Sequence, residues 1–235
     1  MNCRLYLIPT LLGDGDYLRS IPRYNLQLID SIRTFVVENE KSARKFIKTI
    51  LPEKKQSELS IRILNKYTSE EELQELSKLF EHQQSIGILS EAGLPAVADP
   101  GARLVRVAHL KGVRVIPLVG PSSILLALMA SGMNGQQFKF HGYLPIDKSE
   151  RKSAIQLLET ESRKNGSTQI FMETPYRNNQ LLEDLIKYCR PDTHLCVAAN
   201  LTLEDERVIS QTVRQWTQKK ADFHKKPAIF LLNAE

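Results

Sequence analysis

The sequence predicts an α/β fold of two domains, with mixed and mostly parallel sheets. Three observations predict it. Strand and helix signals alternate in βαβα order along the first half of the chain and continue through the second. The length of 235 residues is enough for one large or two modest cores. A linker-like stretch, Pro145–Glu150, separates two sets of elements, which gives expected domains at 1–144 and 145–235.

The elements follow in order. Arg4–Ile8 is a short apolar strand, and the first ten residues are too short and mixed for a signal peptide. Asn25–Ile32 carries apolar residues at helical spacing. Thr34–Glu38 is a second strand, rich in β-branched residues and ending in a carboxylate. Lys41–Ile50 is a basic amphipathic helix stopped by Pro52, and Leu59–Asn65 a third strand. Ser69–Gln83 is a helix opened by a capping box of Ser69 and Glu72, its acidic first turn matched to the helix dipole. Ser85–Ser90, Val113–Val119 and Phe138–Leu144 are strands. Between them lie the helices Gly101–Leu110 and Pro121–Met133. The second half reads helix (Arg151–Lys164), strand (Thr168–Glu173), helix (Asn178–Cys189) and strand (His194–Ala199). Two last strands follow, at Arg207–Thr212 and Ala228–Asn233.

Composition narrows the class. The hydrophobic share of 42% and charged share of 25% are those of a soluble globular protein. The net charge of +5 permits an anionic partner such as RNA without demanding one. Three cysteines without CxxC spacing exclude a disulfide scaffold and a zinc site, and point to a reducing cytoplasm. Residues 115–138 carry no charge, yet prolines, glycines and polar residues divide them into strand, turn and helix, so no membrane span is expected.

In open parallel sheets, ligands bind beyond the carboxyl ends of the strands. GxGxxG does not follow the first strand, and GxxxxGK[ST] is absent from the chain. The five histidines are dispersed, no metal spacing occurs, and no metal is expected. Gly120-Pro121-Ser122-Ser123-Ile124 departs from the GxSxG nucleophile elbow at its fifth residue. Gly93 lets backbone approach a ligand in the loop Ser90–Gly101, where Asp99 caps the next helix. Ser122 and Ser123 open a helix, a terminus suited to a carboxylate or another anion. Met172 ends a strand, where such a residue either packs in the core or stacks on an adenine.

These pieces, in this order, resemble one family. Leu5–Pro9, Ser90–Pro95 with Ala98–Gly101, Pro117–Ser123, His141–Pro145, Glu173–Arg177 and Leu201-Thr202 are similar to the tetrapyrrole methylase-like (class III) S-adenosylmethionine methyltransferases. Within that family the chain looks closest to the small-subunit rRNA cytidine 2′-O-ribose methyltransferases of the RsmI type. The resemblance implies a cleft between the two domains holding S-adenosyl-L-methionine, a homodimer and a cytoplasmic location. Cofactor contacts carry over to Pro9, Thr10, Leu94, Val97, Ser122, Ser123, Met172, Ala198, Ala199 and Asn200, and to Pro227 or Ala228.

Two segments leave the family pattern. Where RsmI-type chains read A-E-D-T-R-x-T-R, this chain has Val37-Glu38-Asn39-Glu40-Lys41-Ser42-Ala43-Arg44. Where they read A-R-E-L-T-K, it has Ala198–Leu203. A ribose hydroxyl acceptor needs a base or a hydrogen-bond acceptor, for which Glu38 and Glu91 stand at strand ends; the alternative is that each only orients a loop. Lys41 and Arg44 on the basic helix, with Arg177, hold RNA phosphates or form an ordinary solvated face. Three functions follow: an rRNA ribose methyltransferase, a methyltransferase of the same fold acting on a small acceptor such as a tetrapyrrole, or a catalytically weak RNA-binding or scaffold protein.

Overall fold

A computed structural model describes residues 3–82, 85–218 and 221–234. The chain divides into two compact units between Ser122 and Ser123.

The first unit holds β1 (Arg4–Ile8), α1 (Arg23–Ser31), β2 (Thr34–Val37), α2 (Glu40–Ile50), β3 (Ser60–Ile63), α3 (Glu70–Ser77), α4 (Leu79–His82), β4 (Ser85–Leu89), α5 (Ala102–Leu110) and β5 (Arg114–Pro117). The strand order is β3-β2-β4-β1-β5, and every pairing is parallel. Helices cover both faces, as a parallel sheet requires. Ile29 of α1 and Phe46, Ile47 and Ile50 of α2 pack against Ile8, Phe35 and Val37. On the other face Leu73, Leu76, Phe80, Leu104 and Ala108 pack against Leu5, Val36 and Ile88. The expected helix over Ser69–Gln83 is broken at Lys78, and its last residue, Gln83, lies outside the described residues. Its capping box is present: Ser69 N–H donates to Glu72 Oε2 at 2.8 Å, and Glu72 N–H to Ser69 Oγ at 3.2 Å.

The second unit holds α6 (Ser123–Ser131), β6 (Phe138–Tyr143), α7 (Lys148–Asn165), β7 (Thr168–Met172), α8 (Asn178–Tyr188), β8 (His194–Ala199), β9 (Arg207–Thr212), α9 (Val213–Trp216) and β10 (Ala228–Asn233). Its strand order is β6-β7-β10-β8-β9. The two sheets together are mixed and mostly parallel, as expected, with the antiparallel pairings all in this second sheet. There only β6–β7 is parallel, and β7–β10, β10–β8 and β8–β9 are antiparallel. For β8–β9 the reason is connection length: a loop, not a crossover helix, joins them, and such a loop reverses the chain.

The division between units also falls earlier than the linker-like stretch at 145–150. β6 hydrogen-bonds to β7, and α6 packs on β8, β9 and β10. Part of that stretch is helix. Asp147 Oδ1 accepts from Ser149 N–H and Glu150 N–H and so starts α7 at Lys148. No helix among the described residues is long and apolar enough to cross a membrane.

Candidate active site

In the first unit, β2 leads through α2 to β3 on one side. Its neighbour β4 leads through α5 to β5 on the other. Adjacent strands whose chains depart in opposite directions open a crevice at their carboxyl ends. Glu38 follows β2 there, and the loop after β4 supplies Glu91 and Asp99.

Glu38 is half-buried, and its carboxyl lies against Asp99, with the Glu91 N–H donating to it. Burial first, then the hydrogen bond and charge of Asp99, push the Glu38 carboxyl up from its ordinary 4.5 to about 7; the Glu91 charge adds to the rise and its N–H opposes it. Asp99 is fixed by its other oxygen. Its Oδ1 accepts from Ala96 N–H at 3.1 Å and Gly101 N–H at 2.6 Å, while Oδ2 is buried with no donor on it. A protonated Glu38 supplies the missing donor. The exposed Glu91 carboxylate accepts from Ser42 Oγ at 2.6 Å. Ser42 lies in the first turn of α2, whose start is capped by Asn39 Oδ1 accepting from Lys41 N–H and Ser42 N–H.

Beside these carboxylates the strand ends are stitched together. Thr10 N–H donates to Gly93 O at 2.9 Å, Thr10 Oγ1 to Ser90 O at 3.2 Å, and Ser90 Oγ to Gly93 O at 2.8 Å. Gly93 has φ of 72°, in the left-handed region that favours glycine. A Cβ on Gly120 would lie 2.2 Å from Pro9 Cβ, so the ends of β1 and β5 approach as closely as they do only because residue 120 is glycine. Thr10, Gly13, Ser42, Lys45, Ser90 and Glu91 line a cavity of about 310 Å³, at the small end of ligand-pocket sizes. Leu94 is half-buried and Val97 is 47% exposed, offering an apolar edge on the same loop.

In the second unit the sheet register gathers another set. Ala228 pairs with Ala199, and Ile229 pairs with both Ala198 and Met172. Asn200 N–H donates to Pro227 O at 2.9 Å. Met172, Ala198, Ala199, Asn200, Pro227 and Ala228 therefore share one end of this sheet. Ser123 opens α6, which lies across β8 and β10. Ser122, the last residue of the first unit, is half-buried.

Backbone strain marks the same loops. The non-glycine residues with left-handed φ are Ala96 (65°), Ala98 (55°), Asn200 (51°), Thr202 (72°) and Lys225 (61°). Each such residue is held there against its preference, and such strain concentrates at functional sites. Nothing in an alanine announces it, so Ala96 and Ala98 are not legible as strained positions from residue type. Asp99 was expected only as a helix cap. Instead Gly101 is the N-cap of α5, without a side-chain bond, and Asp99 closes the turn before that helix and lies against Glu38. The signal that could have found this was the pairing of β2 with β4, which brings two strand-end carboxyls to one crevice.

The basic candidates are mostly engaged. Arg44 donates through Nε to Glu40 Oε1 at 2.8 Å and through Nη1 to Gln56 O at 2.7 Å. Arg177 donates twice to the buried Glu173 carboxylate, at 3.0 and 2.6 Å. Lys45 pairs with Asp14 at 2.7 Å. Lys41 is exposed, and its ammonium has no partner among the described residues.

The sequence model of the Tetrapyrrole (Corrin/Porphyrin) Methylases matches residues 4–217. Among curated proteins, the Ribosomal RNA small subunit methyltransferase I of Escherichia coli O157:H7 is 27% identical over 201 residues, 85% of this chain and 65% of that protein. The protein of the same name from Vibrio cholerae is 29% identical over 206 residues, 87% of this chain and 67% of that one. That of Micromonospora olivasterospora is 31% identical over 219 residues, 92% of this chain and 64% of that one. The chain thus spans about two thirds of these relatives' length. A crystal structure of uroporphyrin III C-methyl transferase from Thermus thermophilus shares the fold, with a TM-score of 0.58 at 16% identity, covering 98% of this chain and 97% of that one. By the match over residues 4–217, the chain belongs to the tetrapyrrole (corrin/porphyrin) methylase family, a family of methyltransferases.

Proposed function

We propose that this chain transfers a methyl group from S-adenosylmethionine to a ribose 2′-hydroxyl of small-subunit ribosomal RNA, with Glu38 as the base. The observation that carries the reading is the Glu38 carboxyl, half-buried beside Asp99 and poised near 7. A base matched to neutral pH is what proton removal from a hydroxyl requires. The names of the relatives support the RNA acceptor.

The residues suit the donor. Leu94 and Val97 offer apolar surface, and the carboxylates of Glu38, Glu91 and Asp99 give a negative field beside which a cation is stabilised. The two serines at the start of α6, Ser122 and Ser123, suit its carboxylate. The donor, when bound, supplies a methyl group already activated on a cationic sulfur. The chain's own work is to hold the hydroxyl in line with that methyl group and take its proton. Orientation contributes up to roughly 7–11 kcal/mol and a positioned base about 10²–10⁴-fold. Glu38 accepts the proton, Glu91 holds Ser42 and with it the start of α2, and Lys41 meets the RNA backbone.

The test is methyl incorporation from labelled donor into small ribosomal subunits from cells lacking the modification. Label that survives in alkali-resistant dinucleotides is expected, because ribose methylation removes the hydroxyl that alkaline cleavage needs. Label on a base, on a tetrapyrrole instead of RNA, or on nothing overturns the reading.

A further inference from the structure

The second unit carries an aromatic corner that none of the candidate donor residues uses. Tyr176 lies in the turn between β7 and α8 and is 71% exposed. Its ring meets the exposed His224 ring edge-on, at 5.8 Å between centroids and 74° between planes. An exposed aromatic on a turn ordinarily has many conformations. This one stands on backbone that is pinned from several sides.

Lys225 N–H donates to Pro175 O at 2.9 Å, tying the loop after α9 to the turn that carries Tyr176. Asn178, wholly buried, donates to Phe223 O at 3.2 Å and Lys226 O at 2.6 Å. Asn179 accepts from Phe223 N–H at 2.8 Å and donates to Asp222, whose Oδ1 also takes His224 N–H at 2.9 Å. Phe223 is buried against Trp216, anchoring the loop in the core. This frame holds Lys225, the residue after His224, in its left-handed conformation, with its side chain exposed and without a partner among the described residues. Two π-faces and a free cation on a fixed frame, with an arginine held at the same turn by Glu173, form the combination that takes an unpaired nucleobase and its phosphate. A protein-docking patch would be expected to set aliphatic side chains around the ring. The residues flanking Tyr176 and His224 here are Pro175, Arg177, Phe223 and Lys225, and of these Phe223 is buried.

We propose that Tyr176 and His224 stack an unpaired base of the RNA substrate, with Lys225 on its phosphate. The proposal rests on the RNA acceptor argued above and goes further, to single-stranded RNA as the form recognised.

The test measures binding of the full chain to a short single-stranded oligoribonucleotide, to an RNA duplex, to whole small ribosomal subunits and to S-adenosylhomocysteine. Tyr176→Ala is expected to weaken single-strand binding about tenfold while leaving duplex and S-adenosylhomocysteine affinity unchanged. Tyr176→Phe keeps the π-face and the affinity. Lys225→Gln weakens both RNA forms and lowers the salt dependence by about one counterion. Single-strand affinity unchanged in Tyr176→Ala overturns the platform, as does an equal loss on duplex. A loss confined to S-adenosylhomocysteine assigns the ring to the donor pocket, and a loss confined to whole subunits assigns it to a ribosomal protein; either sinks the proposal. A wild-type chain that binds none of the RNAs overturns both the platform and the RNA reading, whereas the other failures leave the RNA reading standing.

Discussion

Glu38 and Asp99 lie side by side at the end of the first sheet, the one carboxyl raised to about 7 and the other holding a buried oxygen that nothing donates to. A proton on Glu38 answers both facts. It also sets the pH at which the crevice becomes a base. Below about 7 Glu38 keeps the proton and cannot accept another. Above it Glu38 adds its own negative charge to the crevice.

Methyl transfer should therefore rise with pH through about 7 as a single ionisation. Glu38→Gln should lower the rate by about 10²–10⁴-fold and remove that limb, with S-adenosylhomocysteine affinity retained. Asp99→Asn is the finer probe. Its amide oxygen still accepts from Ala96 and Gly101 N–H, which turns the amide nitrogen toward Glu38 as a donor. That removes a charge and stabilises the Glu38 carboxylate, so the limb should move to lower pH. A limb that stays in place in Asp99→Asn would show that Asp99 acts only to close the turn before α5.

The same proton links the crevice to stability. The Glu38 carboxyl is raised above its ordinary 4.5, so the folded chain binds its proton more tightly than the unfolded chain does. The resulting stability is fully present below about 4.5 and is lost as pH climbs to about 7, beyond which it changes no further. Glu38→Gln should flatten that part of the curve. Urea unfolding of both proteins at intervals across this range reads the difference directly.

How much of this was legible in the sequence depends on whether the cause was local. The capping box at Ser69 and Glu72, the strand Arg4–Ile8 and the helix expected over Asn178–Cys189 follow from local residue pattern, and all are present, the helix ending one residue earlier at Tyr188. The antiparallel pairings of β10 are not local. Its neighbours β7 and β8 are far away in sequence, and a buried apolar strand reads the same in either direction. Glu38 and Glu91 could be nominated because carboxylates at strand ends are visible in one dimension. Asp99 beside Glu38 could not, because their meeting depends on β2 lying next to β4. Arg44 and Arg177 read as free cations although the cause of their pairing is local. Their partners Glu40 and Glu173 stand four residues away, a spacing that on a helix or turn is itself a pairing signal.

The approach of Gly120 to Pro9 predicts a steric cost where the ends of β1 and β5 meet. Gly120→Ala puts a methyl group 2.2 Å from Pro9 Cβ, and one of the two strand ends must shift. A loss of about 1–3 kcal/mol is expected, the usual range for overpacking. Pro9→Ala keeps Cβ but removes the ring atom Cγ, which would lie 2.5 Å away, so the penalty should shrink in the double variant. The double-mutant cycle from denaturant unfolding isolates that coupling. Additive losses would place the strain elsewhere.

The second unit has its own sensitive point, in the ion pair that joins α7 to α8. Arg151 is 3% exposed in its side chain and donates from Nε and Nη2 to Asp184 Oδ2, at 2.8 and 2.6 Å. Its Nη1 donates to Ile146 O at 2.6 Å, which fastens the segment leading into α7. Arg151→Met removes the cation and leaves the Asp184 carboxylate in a site that water barely reaches. A loss of about 3–5 kcal/mol is expected for a buried charge left without its partner. Replacing both, as Arg151→Met with Asp184→Leu, removes the stranded charge as well and should restore most of the stability, because burying two ions costs much of what their attraction returns. The Ile146 carbonyl still loses its donor in the double variant, so recovery should stop short of the wild type by about 1 kcal/mol. Thermal unfolding of the three proteins at one pH decides the matter. If the double variant is no more stable than Arg151→Met alone, the packing of the arginine stem rather than the charge holds α7 against α8.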